Sequence, residues 1–344
     1  MHRLLNIILI PLSWIYQLII GIRNYAYDKH WLKSYEVAVP TIAVGNLAIG
    51  GTGKTPMVEF LVRSLKDHYH VAVLSRGYGR KSKGFLMLNE RSTAETVGDE
   101  MMQIYTKFPH LAMAVCEDRR KGVEQLMLLR PETQVVLLDD AYQHRALHCG
   151  FYMLLTPYNR LYINDHLLPW GRLREGKDES YRAHAIVVTK CPETMLPIDR
   201  RVVENSLQLA SFQRIYFSYI QYKPLQYEGQ PLIVTGIARP EYLIEHIRQQ
   251  SPKVDTLIYA DHHRFSRHDI SHIAHKAKAY DVVLTTEKDW TRLQQMALPE
   301  ELAKKIKVVA IETDLRQDVG GLIQQVRKYI DADWKRLQKR NKQA

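Results

Sequence analysis

The chain contains 344 residues, of which 46% are apolar and 25% are charged, as is typical of a globular protein of about two domains. This composition excludes a collagen-like, low-complexity or mostly disordered chain, and three widely spaced cysteines argue against a disulfide scaffold or a cysteine-built zinc site. The net charge of +11 favours an anionic partner: a nucleotide, a phosphorylated lipid, a nucleic acid or an acidic membrane surface.

An uncharged apolar segment, Leu4 to Ile22, begins the chain between Arg3 and Arg23. As a helix it would span about 28 Å, slightly less than the roughly 30 Å hydrocarbon core of a bilayer. Pro11 interrupts the segment, and aromatic residues within and after it suit a membrane interface. The pattern favours a helix embedded in or lying on a membrane. A buried core helix and a full span remain alternatives.

Beyond Tyr35, short apolar runs rich in Val and Ile alternate with helical patterns. This alternation predicts βαβ units and a parallel sheet that is covered on both faces. The first series of predicted strands covers residues 40–44, 71–74, 112–115, 135–138, 151–155, 185–188 and 214–217. After a turn-prone stretch, the second series covers residues 232–235, 256–259, 282–285 and 308–311.

The strongest motif is a glycine-rich loop, GNLAIGGTGKTP from Gly45 to Pro56, between a predicted strand and a predicted helix. Glycines let backbone N–H groups converge on phosphate oxygens, and the helix N-terminus adds positive potential. Such a P-loop uses its Lys for the β- and γ-phosphates and its Thr for Mg²⁺. The residues expected to bind ATP are Ala48, Ile49, Gly50, Gly51, Thr52, Gly53, Lys54 and Thr55. Ala48 stands where the motif has glycine.

A second segment, QVVLLDD from Gln134 to Asp140, is an apolar strand that ends in two carboxylates. A Walker B strand presents an acid to Mg²⁺ in this way, so Asp139 and Asp140 are candidate metal ligands. Residues 189–192, TKCP, lack the aspartate of a guanine-reading motif. ATP is therefore the expected nucleotide.

Together these patterns predict an α/β fold: a P-loop NTPase-type parallel sheet core, a second, smaller α/β domain and an N-terminal membrane-associated helix. The predicted boundaries are 1–28 for the helix, 29–224 for the P-loop domain, 225–330 for the second domain and 331–344 for a basic tail. The tail is expected to be a solvated, fraying end.

Basic residues recur in loops that follow predicted strands, where ligands bind in open parallel sheets. Arg119 and Arg120 follow one strand, and Arg172 and Arg174 lie in the segment GRLRE. Arginine forks suit phosphate groups, so these four side chains are candidate contacts for a phosphorylated substrate. A solvated charge is the alternative for any single one of them.

Two further segments carry groups suited to proton transfer. Asp99 and Glu100 begin a predicted helix, where a carboxylate is a general base, a Mg²⁺ contact or simply a residue favoured by the helix dipole. Asp261, His262 and His263 lie in a predicted strand–helix loop, where catalytic residues often occur. The sequence does not distinguish the two histidines.

The chain resembles the tetraacyldisaccharide 4'-kinase family of Gram-negative bacteria. The resemblance rests on an ordered set of segments: GNLAIGGTGKTP, SRGYGRK, GDE, LDDAYQHR, GRLRE, DHHRF and TEKDW. The family usually has glycine after the paired aspartates, where this chain has Ala141.

The resemblance implies transfer of the ATP γ-phosphoryl group to the 4'-hydroxyl of a tetraacylated glucosamine disaccharide 1-phosphate, giving lipid IVA. It implies that Asp99 is the catalytic base and that His262 is its partner. The residues it implies near Mg²⁺ are Thr55, Asp139, Asp140 and Glu100. It also implies ATP and Mg²⁺ as cofactors, a phosphorylated glycolipid substrate and a place at the cytoplasmic face of the inner membrane. No nucleic acid or obligate protein partner is expected.

Two other classes stay open from the residues alone. A P-loop ATPase or GTPase that acts as a switch or metal chaperone would turn over without a lipid acceptor. A non-enzymatic, membrane-associated binding module would leave ATP unaltered in the presence of that acceptor.

Overall fold

Strands and helices alternate along most of the chain in a computed structural model that describes residues 2–343. The strands are β1 (Thr41–Gly45), β2 (Val71–Ser75), β3 (Leu86–Met87), β4 (Ala112–Val115), β5 (Val135–Asp139), β6 (Phe151–Pro157), β7 (Ala185–Thr189), β8 (Arg214–Phe217), β9 (Tyr219–Tyr222), β10 (Pro231–Thr235), β11 (Asp255–Ile258), β12 (Val282–Thr286), β13 (Ile306–Val309) and β14 (Ile311–Asp314). The helices are α1 (His2–Asp28), α2 (Lys54–Leu65), α3 (Ala94–Val97), α4 (Asp99–Lys107), α5 (Arg119–Leu129), α6 (Pro197–Leu207), α7 (Glu241–Gln250), α8 (Arg267–Ala277), α9 (Glu287–Leu293), α10 (Glu300–Lys305) and α11 (Val319–Gln343).

The main sheet has eight strands in the order β3-β4-β2-β5-β1-β6-β7-β8, and every neighbouring pair except β3–β4 is parallel. β1 lies inside the sheet between β5 and β6, and its five residues are all buried. The register places Val44 beside Asp139. The loop that follows β1 and the carboxylates that end β5 therefore lie next to each other.

A second sheet, β11-β10-β12-β13, is wholly parallel and has its own apolar cores on both faces. β9 and β14 form a separate antiparallel pair between the two sheets. The architecture matches the predicted α/β fold with a P-loop sheet and a second, smaller α/β unit.

The C-terminal part of the chain departs from the predicted boundaries. The chain leaves the second sheet at Ala310, which splits the strand predicted at 308–311 into β13 and β14. α11 then packs on the first domain through Leu322, Val326 and Ile330, which are all buried. The second domain therefore ends near residue 310 and not at 330. An apolar stripe predicts that a helix packs, but it does not say on which core.

The predicted basic tail is also wrong as a solvated end, because residues 331–343 continue α11. Trp334 donates a hydrogen bond from Nε1 to the carbonyl of Gln134 at 2.7 Å. Arg336 pairs with Glu36 at 3.3 Å. Lys335, Arg336, Lys339 and Arg340 lie on the exposed face of a helix whose other face is docked.

α1 turns its apolar side chains away from the protein. Trp14, Leu18, Ile19 and Ile22 are each at least 60% exposed. Over Ile7–Asp28 the helix is long and apolar enough to cross a membrane, and only 11% of its most apolar window is buried. The alternative of a buried core helix is therefore wrong, and α1 is a candidate membrane-associated segment.

The polar side chains of α1 face the protein instead. Ser13 donates from Oγ to the carbonyl of Leu167 at 3.0 Å, and Tyr16 donates to the carbonyl of Arg174 at 2.9 Å. Asn24 is buried and also hydrogen-bonds to the protein body. These contacts hold α1 along the protein, and a helix held in this way suits a position on the membrane surface better than a full span.

Replacing Leu18 by Glu on the exposed face of α1 is expected to weaken binding to phospholipid vesicles at least tenfold. Burial of a leucine side chain contributes about 1.5–3 kcal/mol, which the variant loses. Vesicle co-sedimentation measures the binding, and Leu128→Glu, at a similarly exposed position of α5, is the matched control. Unchanged binding by Leu18→Glu would remove α1 from membrane contact.

Candidate active site

A cleft of about 780 Å³ lies between the carboxyl ends of the main sheet and the loops of the second domain. Its walls include the P-loop and the ends of β2 and β5 on one side. The loop before α8 and the start of α9 form the other side. Ligands bind at this edge in open parallel sheets, because the loops there are free to differ.

The P-loop turns at glycines whose backbone conformation disfavours other residues. Gly50 and Gly53 have φ angles of 107° and 89°, in the left-handed region. Gly53 directly precedes α2, so the helix N-terminus faces the cleft. Ala48 forms an extended bridge with Leu173 and has no positive φ, so its departure from the glycine of the motif leaves the loop intact.

Two cationic side chains, Lys54 and Arg174, flank Asp140 at the base of the cleft. Lys54 places Nζ 3.7 Å from Asp140 Oδ1 and 3.4 Å from Asn46 Oδ1. Arg174 donates to both carboxylate oxygens of Asp140, at 2.8 and 3.2 Å. Burial raises the pKa of Asp140, but Lys54 and Arg174 outweigh it and lower the pKa to about 2.

Asp139 has the opposite electrostatic environment. Burial, followed by the charge of Asp140, raises the pKa of Asp139 to about 6. Ser75 donates to Asp139 Oδ2 at 3.2 Å, whereas Oδ1 is buried and has no hydrogen-bond partner. An unpaired buried carboxylate oxygen is costly, and it marks Asp139 as a place for a bound cation.

The four predicted substrate arginines do not meet in one place. Arg174 lies in the cleft, and Arg119 also lines it but donates to backbone carbonyls, including those of Asp139 and Asp140. Arg119 thus supports the end of β5.

Arg120 and Arg172 do not line this cleft, and their contact with a substrate stays a prediction. The first turn of α5 directs Arg120 toward the ring of Tyr35, 3.9 Å away. Arg172 lies on the outer side of the P-loop, beside Arg160 and Arg239.

Asp99 and His262 meet across the two domains although 163 positions separate them. His262 Nδ1 lies 3.1 Å from Asp99 Oδ2, and His262 Nε2 lies 3.0 Å from Lys288 Nζ. Because an ammonium group only donates, Nε2 accepts from Lys288, and Nδ1 carries the hydrogen that is donated to Asp99.

Asp99 is held on its other side by Arg292, whose Nε lies 2.8 Å from Oδ2. Burial acts to raise the pKa of Asp99, but the hydrogen bond from His262 and the charge of Arg292 outweigh it and lower the pKa. Glu100 also lines the cleft, with Oε1 3.8 Å from Lys288 Nζ.

The structure distinguishes the two adjacent histidines. His262 lines the cleft. His263 turns away, pairs with Asp269 at 3.1 Å and stacks on Tyr259 with ring centroids 4.7 Å apart. His263 therefore anchors the loop, and His262 is the one available to a ligand.

Three non-glycine residues that line the cleft have positive φ angles: Asp140 at 47°, Lys190 at 57° and His262 at 58°. A left-handed conformation is costly for such residues and persists only where the surroundings enforce it. Lys190, for example, donates to the carbonyl of Gly51 in the P-loop at 2.7 Å. Two of the three strained residues, Asp140 and His262, are predicted site residues.

Comparison with known proteins identifies the family. A family model described as tetraacyldisaccharide-1-P 4'-kinase matches residues 5–331. The chain belongs to the tetraacyldisaccharide-1-P 4'-kinase family. The predicted family is thereby confirmed, and the alternative of a switch or metal chaperone is not favoured.

Relatives of this kinase family match over most of their length. Proteins named tetraacyldisaccharide 4'-kinase from Bacteroides thetaiotaomicron and Flavobacterium johnsoniae are 42% and 43% identical, covering 90% and 87% of this chain and 89% and 91% of theirs. The crystal structure of LpxK from Aquifex aeolicus in complex with ATP matches with a TM-score of 0.74 at 27% identity, covering 96% of this chain and 100% of that one. The predicted fold class is confirmed.

The segment TEKDW of this kinase contributes residues to which the sequence analysis gave no role. Lys288 reaches His262 and Asp261, and Arg292, just beyond the segment, holds Asp99. The acidic residues of the segment, Glu287 and Asp289, lie in the first turn of α9, where the helix dipole favours acidic residues in any protein. The sequence alone therefore does not reveal a further role for them. The only sequence feature that pointed to this region was the family motif TEKDW itself.

Asp289 anchors this segment from within the second domain. It is fully buried and accepts hydrogen bonds from Thr235 Oγ1 at 2.8 Å, Gly236 N at 3.0 Å and Thr286 Oγ1 at 2.7 Å. Asp289 thereby fixes the first turn of α9, from which Lys288 extends into the cleft.

Asp289→Ala is expected to lower the free energy of unfolding by about 3–5 kcal/mol, as other broken buried charge networks do. Urea denaturation measures the loss, and Glu301→Ala, at an exposed position of the same domain, is the control. A loss no larger than that of the control would contradict the anchoring role.

Proposed function

We propose that this protein transfers the γ-phosphoryl group of ATP to the 4'-hydroxyl of a tetraacylated disaccharide 1-phosphate. The observation that carries the proposal is the cleft, where the P-loop faces His262 on the opposite wall and His262 pairs with Asp99 across the two domains. The membership in the tetraacyldisaccharide-1-P 4'-kinase family supports the acceptor.

ATP fits the cleft in two parts. The backbone N–H groups of the P-loop and Lys54 suit the phosphates, as in other P-loop enzymes. The interdomain part of the cleft has an apolar lining that suits the adenine ring; it includes Ile220, Tyr222, Leu243, Val309 and Ile311. The ATP complex of the Aquifex aeolicus relative supports this nucleotide.

Mg²⁺ fits the residues at the end of β5. Asp139 offers a buried, unpaired Oδ1, and Thr55 follows Lys54 at the start of α2. Within the described residues no group of three or more His, Cys, Asp or Glu side chains is arranged to hold a metal ion. A site built from Asp139 and Thr55 suits Mg²⁺, which usually takes one or two carboxylates and completes its shell with water and substrate phosphates. When bound, Mg²⁺ would neutralise phosphate charge.

We infer that Thr55 and Asp139 hold this ion, with Asp140 and Glu100 around it. Asp140 is already paired with Arg174 and Lys54, so its main role is to orient those cations.

The acceptor hydroxyl needs a group that removes its proton while its oxygen attacks the γ-phosphorus. The new O–P bond forms as the bond to the β–γ bridging oxygen breaks, and ADP leaves. His262 lines the cleft, and Asp99 lies behind it. We therefore infer that His262 Nε2 takes the proton once Lys288 releases it, while Asp99 holds the ring and stabilises its charged form. In this proposal His262 is the base and Asp99 is its partner, whereas the family resemblance implies that Asp99 is the base and His262 its partner.

The membrane position of the acceptor fits the place of α1. Arg23 of α1 lines the cleft and donates to the carbonyl of Gln143 at 2.8 Å. A lipid whose acyl chains stay in the bilayer thus meets the cleft where the exposed apolar face of α1 ends. We propose that the enzyme works at the cytoplasmic face of the inner membrane, where ATP is present.

Mass analysis of the acceptor lipid after incubation with ATP and Mg²⁺ tests the function. A mass increase of one phosphate group on the 4' position, with release of ADP, is expected. ADP release with an unchanged lipid would favour a nucleotide hydrolase, and unchanged ATP and lipid would favour a binding module.

Lys54→Ala is expected to lower kcat at least about a hundredfold, a loss typical of removing one group that stabilises transition-state charge. The fold should persist, because Lys54 faces the cleft. Radiolabel transfer measures kcat, and circular dichroism checks folding. Lys66→Ala, at the exposed C-terminal end of the same helix, is the control. A folded Lys54→Ala enzyme with wild-type kcat would refute the role of Lys54 in the P-loop.

Asp99→Ala and His262→Ala are each expected to lower kcat by about 10²–10⁴-fold, with ATP affinity little changed. The double variant should lose little more than the worse single variant, because groups that act as a unit are not additive. His263→Ala should lose far less. Multiplicative losses in the double variant, or a larger loss in His263→Ala than in His262→Ala, would contradict the pair.

A further inference from the structure

α4 and α9 are joined by an ion pair at each end of their contact. Asp99, the first residue of α4, pairs with Arg292 near the end of α9 at 2.8 Å. Lys107, the last residue of α4, pairs with Glu287, the first residue of α9, at 2.8 Å. The helices therefore run antiparallel, one from each domain, and charge pairs at both ends clamp them.

The Lys107 end of this clamp continues into the helix that follows the P-loop. Lys107 also donates to Glu59 of α2 at 2.7 Å, and Glu59 is fully buried. Gln103 donates to the second oxygen of Glu59 at 2.8 Å. Burial raises the pKa of Glu59, and the charge of Lys107 opposes that shift.

Glu287 connects the same cluster to the segment between the domains. Its Oε2 accepts from the backbone N–H of Ile311, the first residue of β14, at 3.3 Å. Three elements thus meet at one ammonium group: the helix after the P-loop, the helix that begins with Asp99 and the helix that carries Lys288.

We propose that Lys107 and Glu287 are positioning residues that set how the second domain meets the P-loop domain during phosphoryl transfer. The proposal rests on the proposed function. Lys107 lies eight positions after Asp99 in α4, about 12 Å along the helix axis. Loss of the Lys107–Glu287 pair leaves the contact between α4 and α9 charge-paired only at its Asp99 end, so the helices can tilt about that end and His262 and Lys288 lose their alignment with the phosphates.

Glu287→Gln is the main test because it leaves the buried Lys107–Glu59 pair in place. The amide still accepts from Ile311 N but carries no charge for Lys107. Misplacement of reacting groups by about 1 Å costs up to about 10²-fold in rate, so we expect a ten- to hundredfold lower kcat. KM for ATP should change less than about threefold.

The matched control is Glu300→Gln, which removes a carboxylate from an exposed pair with Lys304 on α10 of the same domain. It should retain wild-type kcat. Glu287→Ala is the second variant and should lose at least as much activity as Glu287→Gln. Thermal melting of each variant checks that it is folded at the assay temperature.

The double variant Glu287→Gln with Asp99→Ala distinguishes a positioning role of Glu287 from a purely structural one. If Glu287 acts through the alignment of the Asp99–His262 pair, the double variant should have the kcat of Asp99→Ala alone. Multiplied losses, a wild-type kcat in folded Glu287→Gln, or a loss confined to KM for ATP would each overturn the proposal. A wild-type enzyme without acceptor phosphorylation would instead refute the proposed function.

Discussion

The parallel pairing of β1 with β5 is the constraint on which the rest of the site depends. It brings Val44 level with Asp139, so the loop after β1 and the carboxylates after β5 emerge side by side. Lys54, Arg174 and Asp140 then form one charge cluster, in which the burial of the carboxylates is offset by cations from two loops. A register shift of one residue would place Asp139 on the opposite face of the sheet and separate these groups.

Half of the site comes from a different sheet. The P-loop domain supplies Asp99. The second domain supplies His262 from a loop that Asp269 stabilises and Lys288 from the first turn of α9, which Asp289 stabilises. Such a division makes the proposed chemistry depend on the relative position of the domains, since the P-loop and His262 belong to different domains. The antiparallel contact of α4 and α9 is the direct link between those positions.

α1 follows a pattern opposite to that of a soluble helix. Its hydrogen-bonding side chains, including Ser13 and Asn24, are buried against the protein, and its large apolar residues face outward. This arrangement is favourable only where the surroundings are themselves apolar. Because Arg23 of the same helix lines the cleft, α1 connects its exposed apolar face to the candidate site.

The sequence by itself determined the fold class, the P-loop, the paired carboxylates and most strand positions, because those features depend on local patterns of glycine, apolar and acidic residues. It also pointed to Asp99 and to the adjacent His262 and His263 as candidates for proton transfer, and the ordered set of family motifs implied that Asp99 and His262 act as a pair. The tertiary structure decided which histidine faces the cleft, that Arg120 and Arg172 lie outside it, and that α11 returns to the first domain. The physical reason is that burial and charge pairing are set by neighbours distant in the chain, and no local pattern states which neighbours those are.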